Sequence, residues 1–103
     1  LNMITFGLLE AQEGKQEALM DLIKDHVKYL KEQPGLAHAY IGKARGNSDK
    51  VLVVSVWENE EAQQAAMTKL SSDPAATASF FQLMQLLKGQ PDFGNYLVES
   101  ITK

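Results

Sequence analysis

Val51-Leu52-Val53-Val54-Ser55-Val56-Trp57 is the stretch that decides the fold. β-Branched residues dominate it, which suits a pleated strand. Alternation puts Val51, Val53 and Ser55 on one face and Leu52, Val54 and Val56 on the other. Both faces are therefore largely apolar. Met3 to Leu9 behaves the same way, with Met3, Thr5, Gly7 and Leu9 opposing Ile4, Phe6 and Leu8. A strand with one face in water should alternate polar and apolar residues. These two strands call for cover on both sides.

The neighbouring segments supply cover for one side. Leu36 to Ala44 reads as a strand, and Gly46-Asn47-Ser48-Asp49 supplies turn chemistry that pairs it with residues 51–57 as a hairpin. Upstream, Lys15 to about Gln33 reads as an amphipathic helix. Ala18, Leu19, Leu22, Ile23, His26, Val27 and Leu30 fall at spacings of three and four and form one stripe. Pro34-Gly35 stops it. Downstream, Asn59 can cap a second helix that runs to about Leu70, with Glu60 and Glu61 at its positive end. Ser71-Ser72 breaks it. Asp73 then caps a third helix with Pro74 in its first turn and Phe80, Phe81, Met84 and Leu87 on its apolar side. Gly89 and Pro91 end it, and Phe93 to Ile101 reads as the last strand.

The order βαββααβ is the split β-α-β pattern of ferredoxin-like α+β folds. Right-handed crossovers place the first and third strands in the middle of a four-stranded antiparallel sheet, with the helices on one face. The chain has helices for that face only. A second copy is the simplest cover for the other, which predicts a homodimer.

Composition narrows the classes of function. The 103 residues read as one domain over 1–103, with Met3 as the native start and Leu1 and Asn2 as an added remnant. There is no cysteine, which removes disulfides, thiolate metal sites and cysteine nucleophiles together. A formal charge of −3 with scattered basic residues argues against a nucleic-acid partner. Lys24, Lys28 and Lys31 share a helix face, but Asp21, Asp25 and Glu32 flank them, as on an ordinary solvated face. No apolar run is long enough to span a bilayer, no signal segment opens the chain, and a cytoplasmic location is expected. The two histidines and the carboxylates show no metal-ligand spacing, so no metal site is expected.

Four features give the chain a resemblance to the antibiotic biosynthesis monooxygenase superfamily of dimeric α/β-barrel proteins. Gly14-Lys15 opens the first helix, and Pro34-Gly35 precedes the second strand. Val56-Trp57-Glu58 leads into Asn59-Glu60-Glu61-Ala62, and Leu70-Ser71-Ser72-Asp73-Pro74 joins the last two helices. None is specific alone; their order and spacing carry the resemblance, which spans Met3 to Ile101. It implies two sheets facing each other as a barrel with the helices outside. It also implies oxygenation of quinol-like aromatic molecules without metal, flavin or haem, although other members degrade haem or act on small signalling molecules. The chain departs from the family at several positions. Many members carry a histidine nine positions past the tryptophan, where Ala66 stands here. The haem-degrading branch has a tryptophan there, a histidine ten residues later and an asparagine in the first strand. Here Ala66, Ala76 and Thr5-Phe6-Gly7 occupy those places, which argues against haem degradation.

Cofactor-free oxygenation needs an apolar pocket, a base, and donors that hold the substrate anion. His26 is the candidate base, because one titratable group interrupts an apolar stripe; the alternative is a core histidine with a satisfied ring. Trp57 either packs the core or stacks on an aromatic ligand while its N–H donates. His38 and Tyr40 share a strand face with Leu36. They form an exposed edge pair or, if that face lies under the helices, wall the same space as His26. Met67, Phe80 and Met84 are core residues or pocket walls. Asn95 and Tyr96 are possible polar contacts whose faces the pattern does not assign. The expected pocket lies between helices and sheet, walled by His26, His38, Tyr40, Trp57, Met67, Phe80 and Met84. Its expected occupant is a small apolar or aromatic molecule. Two functions follow: a cofactor-independent monooxygenase acting on a quinol-like or enolisable substrate, or a dimeric module that binds such a molecule without turning it over.

Overall fold

The computed structural model describes residues 2–101; Leu1, half of the expected N-terminal remnant, lies outside them. The chain forms β1 (Met3–Glu10), α1 (Gln16–Lys31), β2 (Leu36–Ala44), β3 (Asn47–Trp57), α2 (Glu60–Ser71), α3 (Pro74–Leu86) and β4 (Asp92–Leu97). The sheet order is β2-β3-β1-β4 with every neighbour antiparallel, so the expected α+β ferredoxin-like fold is the observed one.

The helix ends follow from local chemistry. Asn59 Oδ1 accepts the Ala62 N–H at 2.8 Å and starts α2, and Asp73 Oδ1 accepts the Ala75 N–H at 2.9 Å and starts α3. Between α1 and β2 the chain reverses through Gly35 at φ +87°. Its carbonyl accepts the Glu58 N–H at 2.8 Å, and a Cβ placed there would overlap Ala62 Cβ. A Gly35→Ala substitution therefore meets both backbone strain and a clash. We expect a stability loss of about 2–4 kcal/mol in urea unfolding, and an unchanged midpoint would contradict this account.

Strand limits differ from the expectation at two places. The hairpin turn is Arg45-Gly46 alone, with Gly46 at φ +86°, and Asn47 already pairs with Ala44, so β3 begins earlier. β4 stops at Leu97 because its partner runs out. Leu97 pairs with Met3, and the last bond across is Val98 N–H to Asn2 O at 2.8 Å.

Register fixes the two faces. Met3, Thr5, Gly7 and Leu9 stand beside Trp57, Ser55, Val53 and Val51 under the helices. Two buried clusters anchor the layers there. Leu9, Ala11, Leu19, Ile23, Val51 and Leu87 form one, and Met3, Leu30, Trp57 and Ala66 the other. The opposite face carries Ile4, Phe6, Leu8, Leu52, Val54 and Val56, with no layer of the described residues over it. Phe6 and Tyr96 stack across it with ring centroids 5.7 Å apart. Leu8 and Tyr96 are about half exposed or more, at 47% and 61%.

Candidate functional site

Helix-facing residues of the two central strands are large at both ends and small in the middle. Met3 and Trp57 fill one end, Leu9 and Val51 the other, and Thr5, Gly7, Val53 and Ser55 lie between. Small residues under a helical layer leave volume that the packing does not fill. A cavity of about 540 Å³ lies there, between the two core clusters. Leu22, Ile23 and His26 of α1 roof it, Phe80 and Leu83 of α3 close one side, and Phe93 of β4 another.

His26 reaches this space because α1 is anchored on either side of it, by Leu19 and Ile23 in one cluster and Leu30 in the other. Among the described residues no group hydrogen-bonds its ring, and no buried side-chain polar atom lacks a partner. The ring nitrogens therefore meet accessible space. Burial among apolar neighbours lowers the imidazole pKa below its ordinary 6.5, which keeps the ring neutral and able to accept a proton at pH 7.

The polar end of the cavity is built by residues that sequence reasoning undervalued. Thr5 Oγ1 donates to Asn95 Oδ1 at 2.8 Å. Gln63 Nε2 donates to Thr5 Oγ1 and to Asn95 Oδ1, both at 3.3 Å. Gln63 was legible as a signal: it occupies a stripe position of α2 with Ala66, Met67 and Leu70, where an apolar residue is the ordinary choice. An open groove along α2 and β4 is bordered by Gln63, Met67 and Asn95 as well.

The expected pocket residues divide into three groups. His26, Met67 and Phe80 come together around the cavity. Trp57 and Met84 pack beside it rather than on it. Trp57 is fully buried in its cluster, and its N–H donates to Ser55 Oγ at 3.0 Å, so that donor is committed inside the protein. Met84 packs against the cluster around Leu9. His38 and Tyr40 require a correction: they lie on the opposite sheet face from His26, beside Val56 and Val54. The cause is a bulge. Leu36 pairs with Trp57 and His38 with Val56, so Ala37 is an extra residue that flips everything after it. The two rings stack on the open face with centroids 6.1 Å apart. Tyr96 is on that face too, whereas Asn95 faces the cavity. Among the described residues no three His, Asp or Glu side chains gather as metal ligands.

Comparison with known proteins now adds a family. The family model described as antibiotic biosynthesis monooxygenase matches residues 3–71, from the start of β1 to the end of α2. The chain belongs to the antibiotic biosynthesis monooxygenase family. No curated protein is a significant match to this family member. Among solved structures, a mutant form of SnoaB, a cofactor-independent oxygenase from Streptomyces nogalater, superposes with a TM-score of 0.81 at 13% identity, covering 97% of this chain and 95% of that one. Rv0793 from Mycobacterium tuberculosis gives 0.82 at 9% identity over 100% of both chains. A conserved protein from Methanosarcina mazei gives 0.80 at 14% identity, covering 93% and 91%. At such identities the likeness is one of fold. Within this family member Ala66 is buried in one core cluster with Trp57 and Leu30, outside the cavity lining, while Ala76 and Thr5 border the cavity. No described helix is long and apolar enough to cross a membrane.

Proposed function

We propose that this chain is a cofactor-independent monooxygenase acting on a small quinol-like or enolisable aromatic molecule, and that it works as a homodimer. The observation that carries the reading is one neutral, unpartnered imidazole over an apolar cavity whose far end holds amide and hydroxyl groups. Family membership supports the reaction class, and the SnoaB fold match is consistent with it.

The arrangement suits a simple sequence of steps. His26 takes a proton from an activated C–H or phenolic O–H, and the amide end holds the oxygen on which negative charge develops. The resulting anion is electron-rich enough to reduce dioxygen. A carbon–oxygen bond forms, the second oxygen takes up a proton, and the hydroperoxide loses water to leave a new carbonyl. One oxygen atom ends in the product and the other in water. The apolar walls keep bulk water from the intermediate.

Oxygen uptake with anthrones, hydroquinones and enediols tests this. Turnover of at least one class, with one oxygen atom from labelled dioxygen in the product, is expected. Tight binding with no oxygen consumed would replace the enzyme with the binding module.

A further inference from the structure

The helix α3 carries no charged residue and is rich in alanine, phenylalanine and leucine, yet none of its residues is buried. A helix this apolar ordinarily sits inside a core. Its two halves are held differently. The second half is fastened to the rest of the chain. Leu83, Met84 and Leu86 pack against the cluster around Leu9 and Ile23. Gln12 Nε2 donates to the carbonyls of Gln85 and Leu87, each at 3.1 Å, and the Gln12 N–H donates to Leu86 O at 2.9 Å. The Lys88 N–H donates to Glu10 O at 2.7 Å. The first half, Pro74 to Phe81, is held at its start by Asp73. The Asp73 side chain accepts the Ala75 N–H at 2.9 Å, and its main-chain carbonyl accepts the Thr77 N–H at 3.1 Å. Beyond that, Ala76 alone is partly covered, and Phe80 and Phe81 remain 49% and 64% exposed.

This loosely held half is the one that borders the cavity, through Ala75, Ala76, Ser79 and Phe80. The other boundaries are part of the core or of the sheet. Ile23 and Leu30 of α1 and Gln63 of α2 are buried, and β1 is paired on both sides, by β3 and by β4. Segments with few buried apolar contacts open at the lowest cost. Opening the first two turns of α3 exposes almost nothing that is now covered. A flat apolar molecule in the cavity, in turn, offers Phe80 the contact that it lacks, so an occupant favours the closed form.

We propose that the first two turns of α3 are a lid that unwinds to admit a flat aromatic molecule and re-forms over it, with the second half of the helix as its fixed anchor. The lid rests on the functional reading above for the cavity being the ligand site.

Hydrogen exchange tests it. In the free protein the amides of residues 77–81 should exchange at least about tenfold faster than those of residues 83–86 in the same helix. Saturating anthrone under argon, where no dioxygen is present for turnover, should slow them by about tenfold or more. Ala78→Gly separates a gate from ordinary packing. Ala78 is exposed and lies outside the cavity lining, so glycine loosens the helix without touching the ligand. Stopped-flow fluorescence should then show anthrone both entering and leaving about threefold faster, with affinity kept to within about twofold, because both passages use one opening. Equal exchange along α3, exchange that anthrone leaves unchanged, or native entry and exit rates in folded Ala78→Gly would overturn the lid. Slowed exchange under argon with no oxygen uptake in air on any substrate class would sink the monooxygenase and leave the lid standing. Oxygen uptake with exchange of residues 77–81 unchanged would do the reverse.

Discussion

A His26→Phe variant should fold, keep its melting temperature to within a few degrees, and lose turnover by about a hundredfold or more, as removal of a general base does. The fold should survive because the ring gives up no hydrogen bond and phenylalanine is at home among Leu22, Ile23 and Phe80. A pH series of stability checks the burial of the ring. Burial holds the folded-state pKa below about 6.5, so the unfolded chain takes up the proton first as pH falls. Native stability is then complete above about pH 6.5 and declines below it, down to the folded-state pKa. In His26→Phe that part of the decline should vanish. Full turnover in the folded variant would remove His26 as the base. Equal loss of fold and turnover would make it a core residue.

Much of this architecture is legible because its determinants are local. The stripe from Leu19 to Leu30 defines α1, and Asn59 and the Asp73-Pro74 pair announce two helix starts without reference to anything distant. The even apolarity of β1 and β3 marks them as central, and they are. The misreadings have non-local or one-residue causes. β4 ends where β1 has no more residues to offer, which its own sequence does not record. One extra residue at Ala37 carries His38 and Tyr40 to the other face, since a slip of one in a period of two inverts every side chain beyond it.

The cavity was half legible. His26 stood out as the one titratable group on an apolar stripe, and it lines the space. Thr5, Gly7 and Ser55 did not stand out, because small residues in a strand read as weak packing rather than as room. Only the pairing of Thr5 with Ser55 and Gly7 with Val53 turns four separate small residues into one gap under the helices. Trp57 misled for the opposite reason. A lone tryptophan next to a candidate pocket suggests a stacking platform, yet Ser55 two residues away satisfies its N–H and the ring fills the core.

At micromolar concentration the native protein should sediment at twice its 11.4 kDa chain mass, and a Val54→Glu variant should sediment at the chain mass itself. Val54 stands between Phe6 of β1 and Tyr40 of β2 on the open face, near the middle of the sheet. Face-to-face pairing should bury about 800 Å² per subunit at least, the size of an ordinary stable interface. Ile4, Phe6, Leu8, Leu52, Val54 and Val56 keep most of this face apolar, with the paired Glu10 and Lys50 at one end of the central strands. Twofold symmetry presents the same patch from both copies, so one substitution introduces two carboxylates into one desolvated layer. Burying them unpaired costs about 3–5 kcal/mol or more, a weakening of about a hundredfold at least. In the separated subunit the same glutamate meets water, so the βαββααβ fold should remain, with an unchanged far-ultraviolet spectrum. The variant also tells whether the cavity depends on the partner. His26, Thr5, Gln63 and Asn95 all belong to the helix side of one chain. A folded Val54→Glu monomer should therefore still bind an anthrone within about tenfold of the dimer. A native protein that sediments as a monomer would leave two-sided apolar strands without a reason, and a Val54→Glu protein that stays dimeric would move the interface off this face.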